Sequence, residues 1–487
     1  MSHRVELRPR PTERSCYSGR SLLVTNLDGW VAGSGLEGFY VDETRLLSRR
    51  EVTISGMPLT GVATSPVGGT RLLSYAEAPE QPSVPAHAVY IEDACRVGDG
   101  LREELRFHNY SAREATSFEL GIHLGADFAD LFEAKDGTRQ QTGPVETCWD
   151  AGRQELMFRY GHPGLDRAVA VRIESAPAPV RCEEATLLIP IDLAPREATE
   201  IHLVVEPIFD GVRRSAPDRF AGPSDEPLDR IRRQLGREAP ALTTTNPTVA
   251  RAWRTAVADL ASLPLGLEGG PAAPIAGIPF YQQFFGRDML TISWQALLAL
   301  PSMMRDSLRL NAAWQGTVID NWLDEEPGKM IHQARWGPLS ILGIDPFIRY
   351  YGDYATAPDF LVMLSQYLAW TNDIDTVREL LPAARKAIGW LDDYADLDGD
   401  GFIEYVTRSE KGVKNQGWKD SGDAIIDERG EVIENPIATC ELQAYWYAGL
   451  ELGAAAFFIA GDRAYALELM GKARDLKRRF NRAFWME

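Results

Sequence analysis

Residues 415–423 read NQGWKDSGD and combine an amide pair, a tryptophan and two carboxylates within nine positions. Gly417 and Gly422 allow the backbone to turn sharply there. A tryptophan face can stack on a sugar ring, and a positioned carboxyl group can donate a proton to a glycosidic oxygen. The segment therefore predicts carbohydrate chemistry with Asp420 as the general acid, and a solvated glycine-rich turn is the alternative.

A general acid must hold its proton at working pH. Burial or a neighbouring carboxylate raises the pKa of such a group, and Asp423 is the nearest carboxylate in sequence to Asp420. Gln416 and Trp418 flank the acid and are predicted to contact the sugar.

Residues 281–294, YQQFFGRDMLTISW, place Arg287 and Asp288 after a run of aromatic residues. An acidic residue at a helix start is favoured by the helix dipole, which accounts for Asp288 alone. An adjacent arginine and aspartate also offer donors and acceptors suited to vicinal sugar hydroxyls. Both residues are therefore predicted to bind substrate.

Two further loops carry candidate residues. In residues 324–338, DEEPGKMIHQARWGP, Trp336 is followed by Gly-Pro and requires a partner surface. In residues 434–445, ENPIATCELQAY, Glu441 begins an apolar helix. It is either a substrate contact or a residue that caps that helix.

Residues 396–405, DLDGDGFIEY, resemble part of a calcium loop. Acidic residues stand at positions 1, 3 and 5 with glycine at position 6, but position 12 is Thr407 instead of the bidentate glutamate. The candidate ligands are Asp396, Asp398, Asp400 and Glu404, and a plain Asp-Gly turn is the alternative.

The sequence contains no signature of zinc-dependent hydrolysis, of serine nucleophilic catalysis or of phosphate binding. The helical half contains one histidine, His332, whereas zinc hydrolysis would require clustered His or Cys. There is no GxSxG motif and no glycine-rich phosphate loop. The composition of the loops thus favours glycoside cleavage, and no cofactor is predicted.

Composition limits the partners. The chain of 487 residues carries a net charge of −19, which argues against nucleic acid or an anionic membrane. The first residues contain no apolar signal region, and the five cysteines are scattered, so a cytoplasmic protein with reduced, mostly buried thiols is expected.

Residues 1–215 show short β-branched segments broken by turns, which predict an antiparallel β-sandwich. Residues 216–245 are rich in Arg, Pro, Asp and Ser and read as a linker with one short helix. Residues 246–487 contain about seven helical segments, at 249–261, 288–299, 302–316, 358–370, 375–394, 437–460 and 463–485.

Within the first half, residues 38–48 read GFYVDETRLLS and predict either a polar edge that meets substrate or a second domain, or a strand end with an Asp42–Arg45 pair. This stretch resembles the N-terminal domain of bacterial glycogen-debranching-type proteins, with departures at Tyr40 and Glu43. The ordered series FFGRD, PGKMIHQ, DGDGFIEY and NQGWKDS is similar to amylo-α-1,6-glucosidase-like proteins.

The resemblance implies an inverting α-glycosidase with an (α/α)6 barrel, acting on an α-glucan or oligosaccharide. It places the sugar-gripping Arg-Asp pair on Arg287 and Asp288 and the acid on Asp420. Trp336 and Trp418 would line the same subsite, and Glu441 would contact a hydroxyl.

An (α/α)6 barrel has twelve helices, whereas about seven are predicted here, so an incomplete barrel is expected. The family's general base lies toward the end of the barrel, in a part without a counterpart in this chain. The expectation is a chain inactive alone or completed by a second polypeptide. A non-catalytic carbohydrate-binding protein and an inverting glycoside phosphorylase are the alternatives.

Overall fold

The computed structural model describes residues 12–218, 227–266 and 272–486, which form two compact units. The first unit comprises Met1–Arg230 and Gly337–Leu342, and the second comprises Ile231–Trp336 and Gly343–Glu487. The linker predicted at 216–245 contains a 12-residue helix, and its residues 219–226 lie outside the described residues. The sequence did not indicate that residues 337–342 would belong to the first unit.

Up to residue 213, the described part of the first unit consists of antiparallel strands and one short helix. In chain order they are β1 (Glu13–Ser18), β2 (Ser21–Asn26), β3 (Gly38–Val41), β4 (Thr44–Leu47), β5 (Arg49–Ile54), β6 (Met57–Pro58), β7 (Thr60–Val67), β8 (Arg71–Glu77), β9 (Val89–Val97), β10 (Leu101–Asn109), β11 (Thr116–Gly125), α1 (Leu131–Asp136), β12 (Val145–Asp150), β13 (Glu155–His162), β14 (Leu165–Ser175), β15 (Arg181–Glu183), β16 (Thr186–Leu193), β17 (Ala198–Phe209) and β18 (Val212–Arg213).

Three sheets arise from these strands. The largest has nine strands in the order β12-β13-β14-β17-β10-β9-β8-β7, with β18 paired to β17. A second has the order β15-β16-β11-β5-β6, and the third has the order β1-β2-β3-β4. The prediction of antiparallel β structure in the first half is confirmed, and one apolar core contains residues from all three sheets.

The DETR step forms the turn between β3 and β4. Asp42 and Glu43 both adopt left-handed backbone angles, with φ of 49° and 59°, as a two-residue hairpin of this twist requires. The predicted Asp42–Arg45 pair was wrong, because Asp42 pairs with Arg20 at 3.0 Å and with Arg214 at 2.7 Å. Arg45 instead pairs with Asp127.

A charged cluster lies inside the apolar core of the first unit. The Arg50 guanidinium is 1% exposed and pairs with Asp93 and with Glu103, which are 2% and 0% exposed. Burial raises the pKa of Asp93 to about 7, with Arg50 opposing the shift. A buried pair of this kind depends on every partner being present.

The remaining elements, in chain order, are α2 (Pro227–Glu238), α3 (Pro247–Ser262), β19 (Pro264–Gly266), β20 (Ala272–Pro274), β21 (Phe284–Phe285), α4 (Gly286–Ala296), α5 (Pro301–Ala313), β22 (Gln333–Ala334), α6 (Pro338–Ile341), α7 (Thr356–Thr371), α8 (Ile374–Tyr394), α9 (Cys440–Ala460) and α10 (Arg463–Ala483). Of these, α6 belongs to the first unit.

Three pairs of consecutive helices pack against each other in the second unit. Helix α4 contacts α5, α7 contacts α8 and α9 contacts α10, while α7 also packs on α9. Asn372 ends α7 in the left-handed region and Asp373 begins α8 as a side-chain cap. Gly461 and Asp462 repeat this arrangement between α9 and α10. The long loops at 314–355 and 395–439 separate these pairs.

No helix in the described ranges has the length and apolar character needed to span a bilayer. All five cysteines are free thiols. Only Cys16 and Cys95 are buried, so the expectation of mostly buried thiols was wrong for Cys148 and Cys440, which are exposed.

Candidate active site

The guanidinium of Arg287 connects the start of α4 with the loops at 314–355 and 395–439. Its Nη2 donates to Asp420 Oδ2 at 2.7 Å, and its Nη1 donates to the Gly417 carbonyl at 2.5 Å. Its Nε lies 2.6 Å from Asp353 Oδ2, a close ion pair without hydrogen-bond alignment. The side chain is 6% exposed, so these contacts are largely shielded from water.

Local backbone packing fixes Arg287. Gly286 begins α4, and its N–H donates to the His332 carbonyl. A Cβ at Gly286 would lie 2.0 Å from the carbonyl oxygen of Ile331, so glycine is required for this approach. Asp353 is 1% exposed and accepts hydrogen bonds from Ala355 and Thr356 where α7 begins.

Asp420 lies at the accessible end of this network. Its side chain is 41% exposed, and Oδ1 has no hydrogen-bond donor among the described residues. The environment predicted for an acid, burial or a neighbouring Asp423, is not the one observed. The partner of Asp420 is the Arg287 guanidinium, and Asp423 is exposed.

Trp418 supplies an exposed aromatic face beside Asp420. It is 47% exposed, lies over the Arg287 guanidinium at 5.6 Å and has Tyr445 as a ring neighbour at 6.5 Å. Glu441 Oε1 accepts the backbone N–H of Trp418 at 3.0 Å. Glu441, at the start of α9, therefore holds the Trp418 loop in place, a role that the sequence did not suggest.

Asp288 follows Arg287 in the first turn of α4 and is partly buried. Burial raises its pKa, Arg287 opposes this shift, and Asp353 and Asp420 add to it. Asp288 thus belongs to the same electrostatic cluster as Asp420, and its predicted contact with substrate remains a prediction.

Gln416 lies away from any open surface. It is 1% exposed and its amide nitrogen donates to Asp324 at 3.0 Å and to Thr407 at 3.1 Å. Gln416 supports the packing of the loop, and we do not retain it as a substrate contact.

Trp336 has ring contacts with Phe284 and Trp314, at centroid distances of 6.0 and 6.2 Å. It is partly exposed. No direct contact between Trp336 and Asp420 is observed, so its place in the sugar site remains a prediction.

Three residues of the cluster escaped the sequence reasoning. His332 lies with Nε2 3.9 Å from Asp420 Oδ2, Asp353 pairs with Arg287, and Asp359 lies in the first turn of α7. Burial raises the pKa of Asp359 to about 7, with Asp353 adding to the shift and Arg287 opposing it. A carboxylate in the first turn of an otherwise apolar helix was the available signal for Asp359.

The calcium-loop candidates form a compact group. Oxygens of Asp396, Asp398 and Glu404 lie within 4.8 Å of one another, while the Asp400 carboxylate accepts the Phe402 N–H. Asp396 also accepts two backbone N–H groups, from Gly399 and Gly401. This is the pattern of an Asp-Gly turn, and calcium binding stays a prediction.

The site thus offers an accessible carboxylate, an exposed tryptophan face and a buried guanidinium that links them. Carboxylates that exchange protons and aromatic faces that stack on sugar rings are the groups used in glycoside cleavage.

One known family is similar to part of the first unit. Residues 17–204 match a family described as the N-terminal domain of (some) glycogen debranching enzymes. The match covers the predicted β domain and confirms the resemblance there. No curated protein matches the chain.

Two solved structures are similar to this chain over most of its length. A structure from human microbiome, provisionally named a kojibiose phosphorylase, aligns with a TM-score of 0.57 at 10% identity, covering 96% of this chain and 67% of that chain. A bacterial glucoamylase complexed with acarbose aligns with a TM-score of 0.49 at 10% sequence identity. The alignment covers 97% of this chain and 68% of the glucoamylase chain. The chain therefore combines an N-terminal domain similar to that of some glycogen debranching enzymes with a helical part whose fold is similar to that of the structure aligned at a TM-score of 0.57.

Proposed function

We propose that this chain is a glycoside hydrolase of the amylo-α-1,6-glucosidase type that acts on an α-glucan or oligosaccharide, with Asp420 as the general acid. The observation that carries the proposal is the accessible Asp420 carboxylate, anchored by buried Arg287 beside the exposed face of Trp418. The match of residues 17–204 to a domain of glycogen debranching enzymes supports the substrate class.

In the proposed reaction, Trp418 stacks on the sugar and Asp420 protonates the glycosidic oxygen. The bond between the anomeric carbon and that oxygen breaks, water adds to the anomeric carbon, and a second carboxylate takes the proton of the water. Because Arg287 Nη2 occupies Asp420 Oδ2, the proton that Asp420 donates would be carried on Oδ1, the oxygen left available to the sugar.

The second carboxylate comes either from this chain or from a second polypeptide that completes the barrel. Burial raises the pKa of Asp288, Asp353 and Asp359 in the Arg287 cluster. Asp353 is paired with the Arg287 guanidinium, so Asp288 and Asp359 are the candidates within the chain. An inverting mechanism requires a separation of roughly 6.5–9.5 Å between acid and base to admit water.

A phosphorylase is the second candidate. The structure that aligns at a TM-score of 0.57 is provisionally named a kojibiose phosphorylase. In that reaction phosphate adds to the anomeric carbon in place of water, so no base is needed to deprotonate a nucleophile.

The deciding experiment incubates the chain with isomaltose, panose and maltotriose, with and without phosphate, and measures glucose and glucose phosphate. We expect glucose release that is lost in Asp420→Asn and kept in the exposed control Asp423→Asn. Full activity of Asp420→Asn would refute the assignment. Phosphate-dependent sugar phosphate would establish the second candidate. Binding without turnover would refute hydrolysis by this chain alone and indicate either a carbohydrate-binding protein or a barrel whose base comes from a second polypeptide.

A further inference from the structure

We propose that His332 is a substrate-contacting residue whose Nε2 accepts a hydrogen bond from a sugar hydroxyl bound next to Asp420. The inference rests on the proposed function, since it assigns a contact within the same site. It derives from the Nε2 acceptor of His332, which lies beside the accessible Asp420 carboxylate and has no donor among the described residues.

The Nδ1 contact of His332 fixes the tautomer of its ring. Its Nδ1 lies 3.0 Å from the Gly352 carbonyl oxygen. A carbonyl oxygen can only accept, so Nδ1 carries the hydrogen, and in the neutral ring Nε2 is then an acceptor.

The buried imidazole ring of His332 carries no charge. His332 is 4% exposed, and burial lowers its pKa to about 3, with the positive charge of Arg287 adding to the shift and Asp420 opposing it. The imidazole is therefore neutral throughout the range in which glycosidases work, and Nε2 remains an acceptor.

Neighbouring residues hold the His332 ring in a fixed orientation. The ring packs on Phe285 at 6.0 Å and on Tyr350 at 5.7 Å. The backbone of His332 donates to the Tyr350 carbonyl and accepts from Gly286. Contacts on both the ring and the backbone hold Nε2 in one direction.

Nε2 of His332 faces the Asp420 carboxylate. Nε2 lies 3.9 Å from Asp420 Oδ2, which is too long for a hydrogen bond. Oδ2 already accepts from Arg287 Nη2, so His332 Nε2 and Asp420 Oδ1 are the two neighbouring acceptors without a donor among the described residues. A ligand that brings donors satisfies both of these acceptors. Vicinal sugar hydroxyls can donate to Nε2 and to the carboxylate, while one hydroxyl oxygen accepts from Arg287.

The test measures binding in the Asp420→Asn background, where turnover does not interfere, using methyl α-glucoside and its four monodeoxy analogues. One analogue should bind about tenfold to a hundredfold more weakly than the parent, because Nε2 loses its donor. His332→Asn retains an amide that can donate to Gly352 and removes the acceptor at Nε2. We expect this variant to bind the parent as weakly as that analogue and to show no further loss with the analogue itself.

His162→Phe, in the first unit, is the matched control and should preserve every deoxy penalty. Nitrogen-15 NMR of the otherwise unaltered protein tests the tautomer without any variant. Resonances of a neutral ring protonated at Nδ1, unchanged between pH 5 and pH 8, are expected.

The outcomes separate this inference from the function on which it rests. If the glucosides bind but His332→Asn retains all deoxy penalties, or if His332 titrates near neutral pH, the role of His332 is refuted and the proposed function stands. If no glucoside binds the protein with His332 intact, the proposed function fails and the inference fails with it.

Discussion

Arg287 Nη2 lies 2.7 Å from Asp420 Oδ2, although the two residues are 133 positions apart in the chain. The guanidinium is 6% exposed and the carboxylate 41%. The pair thus has one buried end and one accessible end. This asymmetry lets the protein fix the position of Asp420 while leaving its second oxygen available to a ligand.

Arg287→Met should destabilise the protein by about 3–5 kcal/mol, because it leaves the fully buried Asp353 carboxylate without its cation. Urea unfolding measures the change. Arg309→Met removes an arginine whose ion pair with Glu379 is exposed and should cost under about 1 kcal/mol. Equal effects of the two substitutions would show that the Asp353–Arg287 pair is not important for stability.

Much of the fold could be predicted because it is locally encoded. The pairs Asn372-Asp373 and Gly461-Asp462 each place a left-handed residue before a capping aspartate, so the helix boundaries at 371–374 and 460–463 were close to those expected. The partner of Asp42 depended instead on strand register and on residue 214, which no local pattern reveals.

The site was predictable in part for the same reason. Residue types marked Arg287, Trp418 and Asp420 as chemically active. Their mutual contacts depend on loops that meet only in three dimensions, so His332 and Asp353 were missed. Gln416, predicted to contact the sugar because it lies four positions before Asp420, is buried in the loop packing, which no local pattern reveals.

Glu441→Ala should free the Trp418 backbone and loosen the loop. We expect faster hydrogen–deuterium exchange in the peptide spanning 415–423 and about tenfold weaker oligosaccharide binding, since one charge-assisted hydrogen bond is lost. Glu441→Gln keeps an acceptor oxygen and should stay close to the wild type.

Glu434→Ala is the control for this effect, because the Glu434 side chain is 85% exposed and pairs only with a lysine on the surface. If exchange in the Trp418 loop is unchanged in Glu441→Ala, the loop is held by other contacts.

Asp359 should make stability depend on pH. Its pKa is raised to about 7, so the folded protein keeps a proton that the unfolded chain releases near pH 4. Stability contributed by this group therefore falls as the pH rises from about 4 to about 7 and is level above that. Asp359→Asn should remove this dependence and gain up to about 4 kcal/mol relative to the wild type at pH 8.

Urea unfolding at several pH values measures this difference. Asp375→Asn alters an aspartate whose side chain is 92% exposed and should track the wild type at every pH. A constant difference between Asp359→Asn and the wild type from pH 4.5 to pH 8 would contradict the prediction.

The buried cluster of the first unit should respond differently to partial and complete removal. Arg50→Met leaves Asp93 and Glu103 in the core without a cation and should cost at least about 3–5 kcal/mol. The triple variant Arg50→Met, Asp93→Leu, Glu103→Met removes every charge and should be more stable than the single variant. Thermal melting compares them, and a triple variant less stable than Arg50→Met would show that the ions stabilise the core as a network.

The close approach at Gly286 has a consequence for protein engineering. A methyl group at this position would meet the Ile331 carbonyl, one residue before His332, and would push apart the two segments that carry Arg287 and His332. Mutant libraries meant to change sugar preference should therefore leave position 286 untouched and vary Tyr445, which lines the accessible side next to Trp418. Diversity introduced there can reshape the ligand surface without moving the residues that would perform the chemistry.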